Sequence, residues 1–237
     1  MMTKGYIFDY GGTLDTGGLH WGKVLWHAYV RHSVAVTEEQ FRDAYVYAER
    51  YLGSNRVITP NYTFKDTLDA KLSLELEHLN DTKALNLRQN ELEQLKETLL
   101  EDVYTNVIHE TAKSRKILEA LSQSRPLALV SNFYGNINTV LREFGLNNLF
   151  TAVIESAVVG IRKPDPRIFT IGVKALGTKP EETTVVGDSF EKDIIPAKLA
   201  GCHTIWLKGE GWTDKAHDES LPDAVITELE QLLQRPQ

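Results

Sequence analysis

Short β-rich runs alternate with amphipathic helices from about residue 108 onwards, and this alternation constrains the fold most strongly. The run PLALVS predicts a strand, NINTVLREFG a helix, TAVIES a strand and RIFTIGVKALG a helix. TTVVGD, HTIWLK and DAVI predict further strands, with the helix IIPAKLAG between the first two of them. Strands that are separated by helices favour a parallel sheet covered by helices on both faces. We therefore predict an α/β protein.

The N-terminal stretch GYIFD predicts one more strand, and the segment after it breaks the alternation. Between residues 19 and 105 apolar residues recur every three or four positions, as they do in helices. Two such series are Phe64, Leu68, Leu72, Leu76 and Leu79, and Leu92, Leu95, Leu99 and Val103. The pattern predicts a Rossmann-like core from residues 1–16 and 106–237, with a helical cap inserted over residues 17–105.

Polar residues and glycines follow four of the predicted strands. In order along the chain they are Asp9, Gly11, Gly12 and Thr13; Ser131 and Asn132; Lys163; and Asp188 and Asp193. Ligands of open α/β sheets bind beyond the carboxyl ends of the strands. We therefore expect these residues to meet at one edge of the sheet and to form a single site.

This set of residues suits a phosphoryl group. Asp9 can act as a nucleophile and attack phosphorus to form an aspartyl-phosphate. The backbone N–H groups of residues 11–13 can bind phosphoryl oxygens, because glycine lets the backbone come close to a ligand. Ser131 and Asn132 are placed to bind a further oxygen. Lys163 can attract both the nucleophile and the phosphoryl group.

Two of the carboxylates predict a metal ion. Asp9 and Asp188 would repel each other at short range unless a cation lay between them. Carboxylate oxygens together with a phosphate are the ligands that suit Mg²⁺. Asp193 can cap the helix that follows it, support this metal site, or do both. The predicted cofactor is therefore Mg²⁺.

These residues, in this order, resemble the haloacid dehalogenase superfamily, most of whose members are phosphatases. The motifs are DYGGTL, LVSN, the lysine of RKPDP, and GDSFEKD, and they extend over nearly the whole chain. The resemblance implies that Asp9 is the nucleophile, Asp188 a metal ligand, and Ser131 and Lys163 phosphate contacts. It also implies that the backbone carbonyl of Gly11 binds the metal, and that the inserted helices are the helical cap of that family.

Gly11 departs from the pattern of that family. Its phosphatases carry an aspartate at this position, which protonates the leaving group and then activates water. Glycine can do neither, and the loss of a general acid–base group costs about 10²–10⁴ in rate. We expect a slow enzyme, or one that is selective for good leaving groups. Asp15 and His20 are candidate replacement acids, or else a polar turn residue and a linker histidine.

Three alternatives differ in chemistry. A silent phosphate-binding or regulatory protein would keep the phosphate contacts without turnover. A phosphonatase-like enzyme would cleave a carbon–phosphorus bond through an imine on a cap lysine, for which Lys23 is the candidate. A dehalogenase would also lack an aspartate at position 11, but it would not need the metal-binding GDS that contains Asp188. GGTLDTGG lacks the Lys-Ser/Thr pair of a nucleotide P-loop.

Composition narrows the expected partners. The net charge of −7 argues against nucleic acid, whose binding proteins usually carry a basic face. Apolar runs such as LALV are too short to cross a bilayer. Cys202 is the single cysteine, so an internal disulfide is impossible and a cytoplasmic location is expected. The expected ligand is a small phosphorylated molecule, whereas the sequence predicts neither its identity nor the oligomeric state.

Overall fold

A six-stranded parallel sheet forms the centre of the computed structural model, which describes residues 3–213 and 215–234. The strands are β1 (Gly5–Phe8), β2 (Leu127–Ser131), β3 (Ala152–Glu155), β4 (Thr183–Gly187), β5 (His203–Leu207) and β6 (Ala224–Ile226). Their order is β3-β2-β1-β4-β5-β6. Every residue of β1, β2 and β4 is buried, as expected of strands covered on both faces. The predicted α/β class is confirmed.

The position of β1 determines where a ligand can bind. Phe8 of β1 is paired with Leu129 of β2 on one side and with Val186 of β4 on the other. The chain passes from β1 to β2 and later returns to β4, so the direction of winding reverses between β1 and β4. Parallel sheets open a crevice at such a switch point, beyond the carboxyl ends of the strands. Asp9 follows β1 directly and therefore lies at this crevice.

Four long helices follow β1: α1 (Trp21–Arg31), α2 (Glu38–Ser54), α3 (Phe64–Asp81) and α4 (Gln89–Ser122). Capping boxes begin α2, at Thr37 and Gln40, and α3, at Thr63 and Asp66. α4 is one continuous helix of 34 residues. It therefore runs through residues 105 and 106, where the predicted cap and core meet, and the division into cap and core stays a prediction.

The remaining helices lie between the later strands: α5 (Ile137–Glu143), α6 (Ser156–Val159), α7 (Arg167–Leu176) and α8 (Ile195–Leu199). A π-helical turn, Phe190–Ile194, precedes α8, and 3-10 turns occupy Pro180–Glu182 and Leu229–Gln234. α7 packs its apolar side, including Phe169 and Val173, against one face of the sheet. Within the described ranges, no helix combines the length and apolar character needed to cross a bilayer.

One continuous apolar core joins the α1–α4 helices to the other face of the sheet. Leu25, Phe41, Leu72 and Leu99, one from each of the four helices, are fully buried in it. Phe8 of the central strand belongs to the same cluster. The helices therefore also lie close to the carboxyl ends of the strands, where Asp9 is found. A cavity remains between the helices and these strand ends.

Candidate active site

Asp9 is bound to a lysine at the carboxyl end of β1. Lys163 Nζ lies 2.6 Å from Asp9 Oδ1 and 2.7 Å from Asp193 Oδ1, and the lysine side chain is only 2% exposed. Burial alone would lower the pKa of Lys163, but the Asp193 and Asp9 carboxylates outweigh it and raise that pKa. Burial raises the pKa of Asp9 to about 6, against the opposing effect of Lys163. The ammonium of Lys163 therefore stays charged and partly neutralises both carboxylates.

Two hydrogen bonds with Thr13 hold Asp188 in place. The Thr13 hydroxyl donates to Asp188 Oδ1 over 2.9 Å and accepts from the Asp188 backbone N–H over 3.0 Å. Burial, together with the nearby charges of Asp193 and Asp9, raises the pKa of Asp188. Gly12 has a φ of +100°, and a Cβ there would lie 2.5 Å from the Asp188 carboxylate. Only glycine therefore fits between this loop and Asp188.

Three carboxylates meet at this edge of the sheet. Oxygen atoms of Asp9, Asp188 and Asp193 all lie within 4.8 Å of one another. Lys163 compensates one of the three negative charges, so the cluster keeps an excess of negative charge when all three are ionised. An all-oxygen, anionic donor set of this kind fits a hard divalent cation such as Mg²⁺.

The backbone conformation at position 11 does not require a glycine. Its φ lies outside the left-handed region, and a Cβ built on it would have Trp21 Nε1 as its nearest neighbour, at 3.7 Å. This is an ordinary van der Waals distance. A side chain at position 11 is therefore sterically acceptable, and it would project towards the indole of Trp21 at the cavity wall.

Two of the backbone N–H groups expected to bind phosphate are engaged inside the loop. The Gly12 N–H donates to Asp15 Oδ1 over 2.7 Å, and the Thr13 N–H donates to the Tyr10 carbonyl over 3.1 Å. In this conformation the N–H groups of Gly12 and Thr13 are therefore paired within the protein, and the binding of phosphate by the backbone of residues 11–13 stays a prediction. The tight turn after β1 uses these donors to close on itself, and Thr13 contributes its hydroxyl to Asp188 instead.

Asp15 and His20, the candidate replacement acids, occupy different surroundings. Asp15 is 1% exposed, does not line the cavity, and accepts a second hydrogen bond from Trp21 Nε1 over 3.1 Å. Burial raises its pKa to about 8. His20 does line the cavity, where its Nδ1 accepts from the Gly22 N–H over 3.0 Å at the start of α1. Burial, then Lys192, lower the pKa of His20 to about 4, so its neutral ring is a poor proton donor.

Ser131 is the last residue of β2, Asn132 follows it, and both line the cavity. Asn132 Nδ2 donates to the Lys163 carbonyl and Asn132 Oδ1 accepts from the Lys163 N–H, each over 3.0 Å. Both ends of this amide are thus used to fix the loop that carries Lys163. Asn132 positions the lysine in this structure, whereas the Ser131 side chain makes no competing hydrogen bond among the described residues.

The cavity between the helices and the sheet has a volume of about 160 Å³. Its walls combine apolar side chains, among them Trp21, Phe64, Leu68 and Phe133, with charged ones such as Arg162 and Lys192, and Asp9 lies at the sheet side. Lys71, Glu49 and Tyr134 also line it and were not predicted from the sequence. The one available signal was the position of Lys71 on α3, within the series of leucines that otherwise faces the core.

A loop after β5 attaches the helices to the core through Trp212. The Trp212 ring centroid lies 5.2 Å from that of His20 and 4.9 Å from that of Tyr45. Arg42 stacks over the indole at 3.9 Å and donates to the Trp212 carbonyl over 2.8 Å. A Cβ on Gly22 would overlap the Trp212 ring at 2.0 Å. The glycine therefore provides the space in α1 that the indole fills.

Lys23 lies apart from the cavity. Its Nζ is 3.1 Å from Glu38 and 3.6 Å from Glu210, and it is not among the cavity-lining residues. An imine-forming lysine must touch the substrate, so this placement does not favour the carbon–phosphorus alternative.

Known proteins resemble this chain over different lengths. Phosphoserine phosphatase of Thermus thermophilus is 39% identical over 92 residues, which are 38% of this chain and 37% of that protein. Pyrimidine 5′-nucleotidase YjjG of Escherichia coli is 26% identical over 241 residues, which cover 96% of each chain. The chain spans 37–41% of the length of the first curated relatives that it matches.

Solved structures share the fold. The magnesium-bound hydrolase YfnB of Bacillus subtilis superposes with a TM-score of 0.59 at 19% identity, covering 99% of this chain and 98% of that one. The model of the haloacid dehalogenase-like hydrolases matches residues 3–201, which is most of the chain. The protein therefore belongs to the haloacid dehalogenase-like hydrolase family.

Proposed function

We propose that the protein is a Mg²⁺-dependent phosphatase that hydrolyses a small phosphorylated metabolite through a phosphoryl intermediate on Asp9. The observation that carries the proposal is the position of Asp9 at the cavity wall. Lys163 lies 2.6 Å from its carboxylate, and Asp188 and Asp193 lie beside it. The named activity of the relatives, phosphate ester hydrolysis, supports the same assignment.

In the first step an Asp9 oxygen attacks phosphorus, and the bond from phosphorus to the leaving oxygen breaks. Lys163 stabilises the charge that gathers on the phosphoryl oxygens, and the Ser131 hydroxyl donates a hydrogen bond to one of them. Because Gly11 supplies no proton, the leaving oxygen departs as an anion. Acyl and aryl phosphates, whose leaving oxygens are weak bases, are therefore the favoured substrates.

In the second step water attacks phosphorus, the bond between phosphorus and the Asp9 oxygen breaks, and inorganic phosphate is released. The free Asp9 carboxylate is regenerated in the same event. No carboxylate at position 11 activates the water, so this step is slow relative to the first. The phosphoryl form of Asp9 is then expected to accumulate during turnover.

Asp9, Asp188, Asp193 and the Gly11 carbonyl are the groups that would hold Mg²⁺. When bound, the metal supplies positive charge that neutralises the phosphoryl group. Thr13 fixes the Asp188 carboxylate by two hydrogen bonds, so this ligand is already oriented before a cation binds.

We assign the role of a cap to residues 17–105. The helices in this segment cover Asp9, and a cover of this kind excludes water from the reacting phosphoryl group during the first step. A cavity of about 160 Å³ is suited to a small leaving group. The relatives include phosphatases of phosphoserine and of glyceraldehyde 3-phosphate, which are small phosphate esters.

A second candidate is a silent phosphate-binding protein, and Gly11 is the observation that favours it. The residues that bind phosphate and metal would be retained, and only the group that transfers protons would be lost.

A screen of acyl, aryl and alkyl phosphates with Mg²⁺ tests the proposal, with Asp9→Asn as the control. Turnover of the acyl and aryl phosphates that disappears in Asp9→Asn supports the phosphatase. Phosphate binding without turnover in any class would instead support the silent binder. Turnover that survives in Asp9→Asn would contradict the assignment of the nucleophile.

A further inference from the structure

Two charged side chains of the inserted helices meet in the cavity. Lys71 of α3 is 7% exposed, and its ammonium pairs with the carboxylate of Glu49 on α2. Tyr134, in the loop after β2, donates its hydroxyl to Glu49 Oε1 over 3.0 Å. All three residues line the cavity that also contains Asp9. We call Lys71, Glu49 and Tyr134 the cap triad.

Burial of the Lys71 ammonium is not explained by packing. The Lys71 side chain is 9% exposed, whereas that of Glu49 is 35% exposed and keeps part of its contact with water. Taking a charge out of water costs free energy, and an apolar residue of similar volume often stabilises a protein as well or better. Lys71 also lies beside the buried leucine series of α3, three positions after Leu68 and directly before Leu72. The cost is understandable if a ligand completes the interactions of the pair.

Both members of the pair keep unused hydrogen-bonding capacity. Among the described residues, the Lys71 ammonium hydrogen bonds to Glu49 alone, and it lies 4.4 Å from the face of the Tyr45 ring. An ammonium has three N–H donors, so two remain. Glu49 accepts from Lys71 and Tyr134 through Oε1, which leaves its second oxygen for a donor.

Two further ionisable groups lie near the pair. Lys192 lines the same cavity and adds a second positive charge on the side of Glu49. Glu75 lies one turn after Lys71 on α3 and is fully buried, and burial raises its pKa to about 8. With Glu75 protonated near neutral pH, the cavity end formed by Lys71 and Glu49 carries one positive and one negative charge. A ligand with a single charge would match one of these groups and oppose the other.

We propose that the leaving group of the substrate ends in a zwitterion, with an ammonium that binds Glu49 and a carboxylate that binds Lys71. This assignment rests on the proposed phosphatase function and names its substrate class: the phosphate ester of a hydroxylated amino acid. The apolar walls formed by Trp21, Phe64 and Phe133 match a flat ring between the zwitterion and the phosphate. Hydroxyls of a sugar polyol would lack partners where they face these rings.

Four para-substituted phenyl phosphates test the proposal on the full-length protein. O-phospho-L-tyrosine carries both charges, tyramine phosphate only the ammonium, the desamino analogue only the carboxylate, and para-ethylphenyl phosphate neither. Their leaving oxygens are nearly equal in basicity, so they differ chiefly at the charged end. We expect kcat/KM to be highest for phosphotyrosine and to fall by about 10- to 100-fold for each charge removed.

Two variants assign the charges to residues. Lys71→Met should abolish the preference that depends on the carboxylate, and Glu49→Gln the preference that depends on the ammonium. The double variant, which removes the buried pair together, should bring the ratio of phosphotyrosine to para-ethylphenyl phosphate towards one. Lys65→Met is the matched control, since Lys65 lies on the same helix and pairs with Glu101 on the surface. This control should keep the wild-type ratio.

The four esters measured on the wild-type protein test the zwitterion proposal even if a variant fails to fold. Equal kcat/KM for phosphotyrosine and para-ethylphenyl phosphate would overturn the zwitterion proposal while leaving the phosphatase function intact. A preference for either singly charged ester over phosphotyrosine would overturn it as well. Absence of turnover for all four esters and for acyl phosphates alike, in contrast, would refute the proposed function itself.

Discussion

Substitution of Gly11 by aspartate should restore the missing acid. The backbone at this position is outside the left-handed region, and the new Cβ would lie 3.7 Å from its nearest neighbour, Trp21 Nε1. The variant is therefore expected to fold without backbone strain. Its carboxylate would extend from the loop that carries Asp9 into the cavity where the leaving oxygen lies.

The size of the effect follows from the chemistry that Gly11 omits. A positioned general acid–base group contributes about 10²–10⁴ in rate, or roughly 3–5 kcal/mol of activation free energy. Alkyl phosphates need that proton most, so their kcat should rise by about this factor in Gly11→Asp. Aryl phosphates should gain much less, and the dependence of rate on leaving-group basicity should flatten.

The assay compares kcat across aryl and alkyl phosphates with Mg²⁺ for the wild type, Gly11→Asp and Gly11→Asn. The asparagine variant has nearly the same shape but cannot transfer a proton, so it separates chemistry from packing. Thermal unfolding of each variant is measured first. A folded Gly11→Asp protein that hydrolyses alkyl phosphates no faster than Gly11→Asn would refute the reasoning. So would a wild type that hydrolyses alkyl and aryl phosphates equally well with chemistry rate-limiting.

Three further predictions concern the metal, the cap and pH. Asp188→Asn should weaken Mg²⁺ binding by at least about 10-fold in calorimetric titrations and lower hydrolysis in parallel; hydrolysis that persists undiminished in EDTA would contradict the metal assignment. Trp212→Ala should lower the free energy of unfolding by roughly 2–3 kcal/mol, which is less than the loss expected when a fully buried aromatic side chain is removed. Gly22→Val should also lower it, because the valine side chain would displace the indole. Urea midpoints that stay unchanged in both variants would contradict this prediction. Burial raises the pKa of Glu75 from 4.5 to about 8, so the ionised unfolded state is favoured as pH rises and the wild type should lose stability across this range. Glu75→Gln lacks this titration, so between about pH 4.5 and about pH 7 its free energy of unfolding should fall by roughly 3 kcal/mol less than that of the wild type. Denaturation experiments in which the wild type and Glu75→Gln show the same dependence of stability on pH would contradict this prediction.

The sheet could be predicted from the sequence because each strand is a short apolar run bounded by turn residues. All six predicted strands are confirmed, and so is the apolar face of α3 that begins at Phe64. The extent of α4 was missed, since the leucine series ends near Val103 while the helix continues to Ser122. Its second half is buried against the sheet through residues such as Ile117, and no breaker marks the passage from one environment to the other.

The charged edge of the site was predictable for a topological reason. Carboxyl ends of parallel strands share one edge, so Asp9 and Asp188, which directly follow the neighbouring strands β1 and β4, were expected to lie near one another. Lys163 comes after α6, beyond the end of β3, and its approach to Asp9 also depends on the loop that carries it. The use of the N–H groups of Gly12 and Thr13 was not predictable, because it depends on how one turn brings the Asp15 carboxylate to Gly12 and the Tyr10 carbonyl to Thr13.

The cap triad could not be found from spacing. Glu49 and Lys71 are 22 positions apart on different helices, and Tyr134 is a further 63 positions along the chain in the core. Their meeting depends on how the helices dock over the sheet, which no local pattern encodes.

Detection of phosphate on Asp9 during turnover tests the proposed mechanism most directly. Enzyme, Mg²⁺ and an aryl phosphate are mixed and quenched in acid at increasing times, and the peptide that contains residue 9 is analysed by mass spectrometry. Because no base replaces the missing aspartate at position 11, a phosphorylated Asp9 should form quickly and reach a large fraction of the enzyme before it decays. Release of the leaving group without any phosphorylated Asp9 peptide at any quench time, or phosphate found on another residue, would contradict the mechanism.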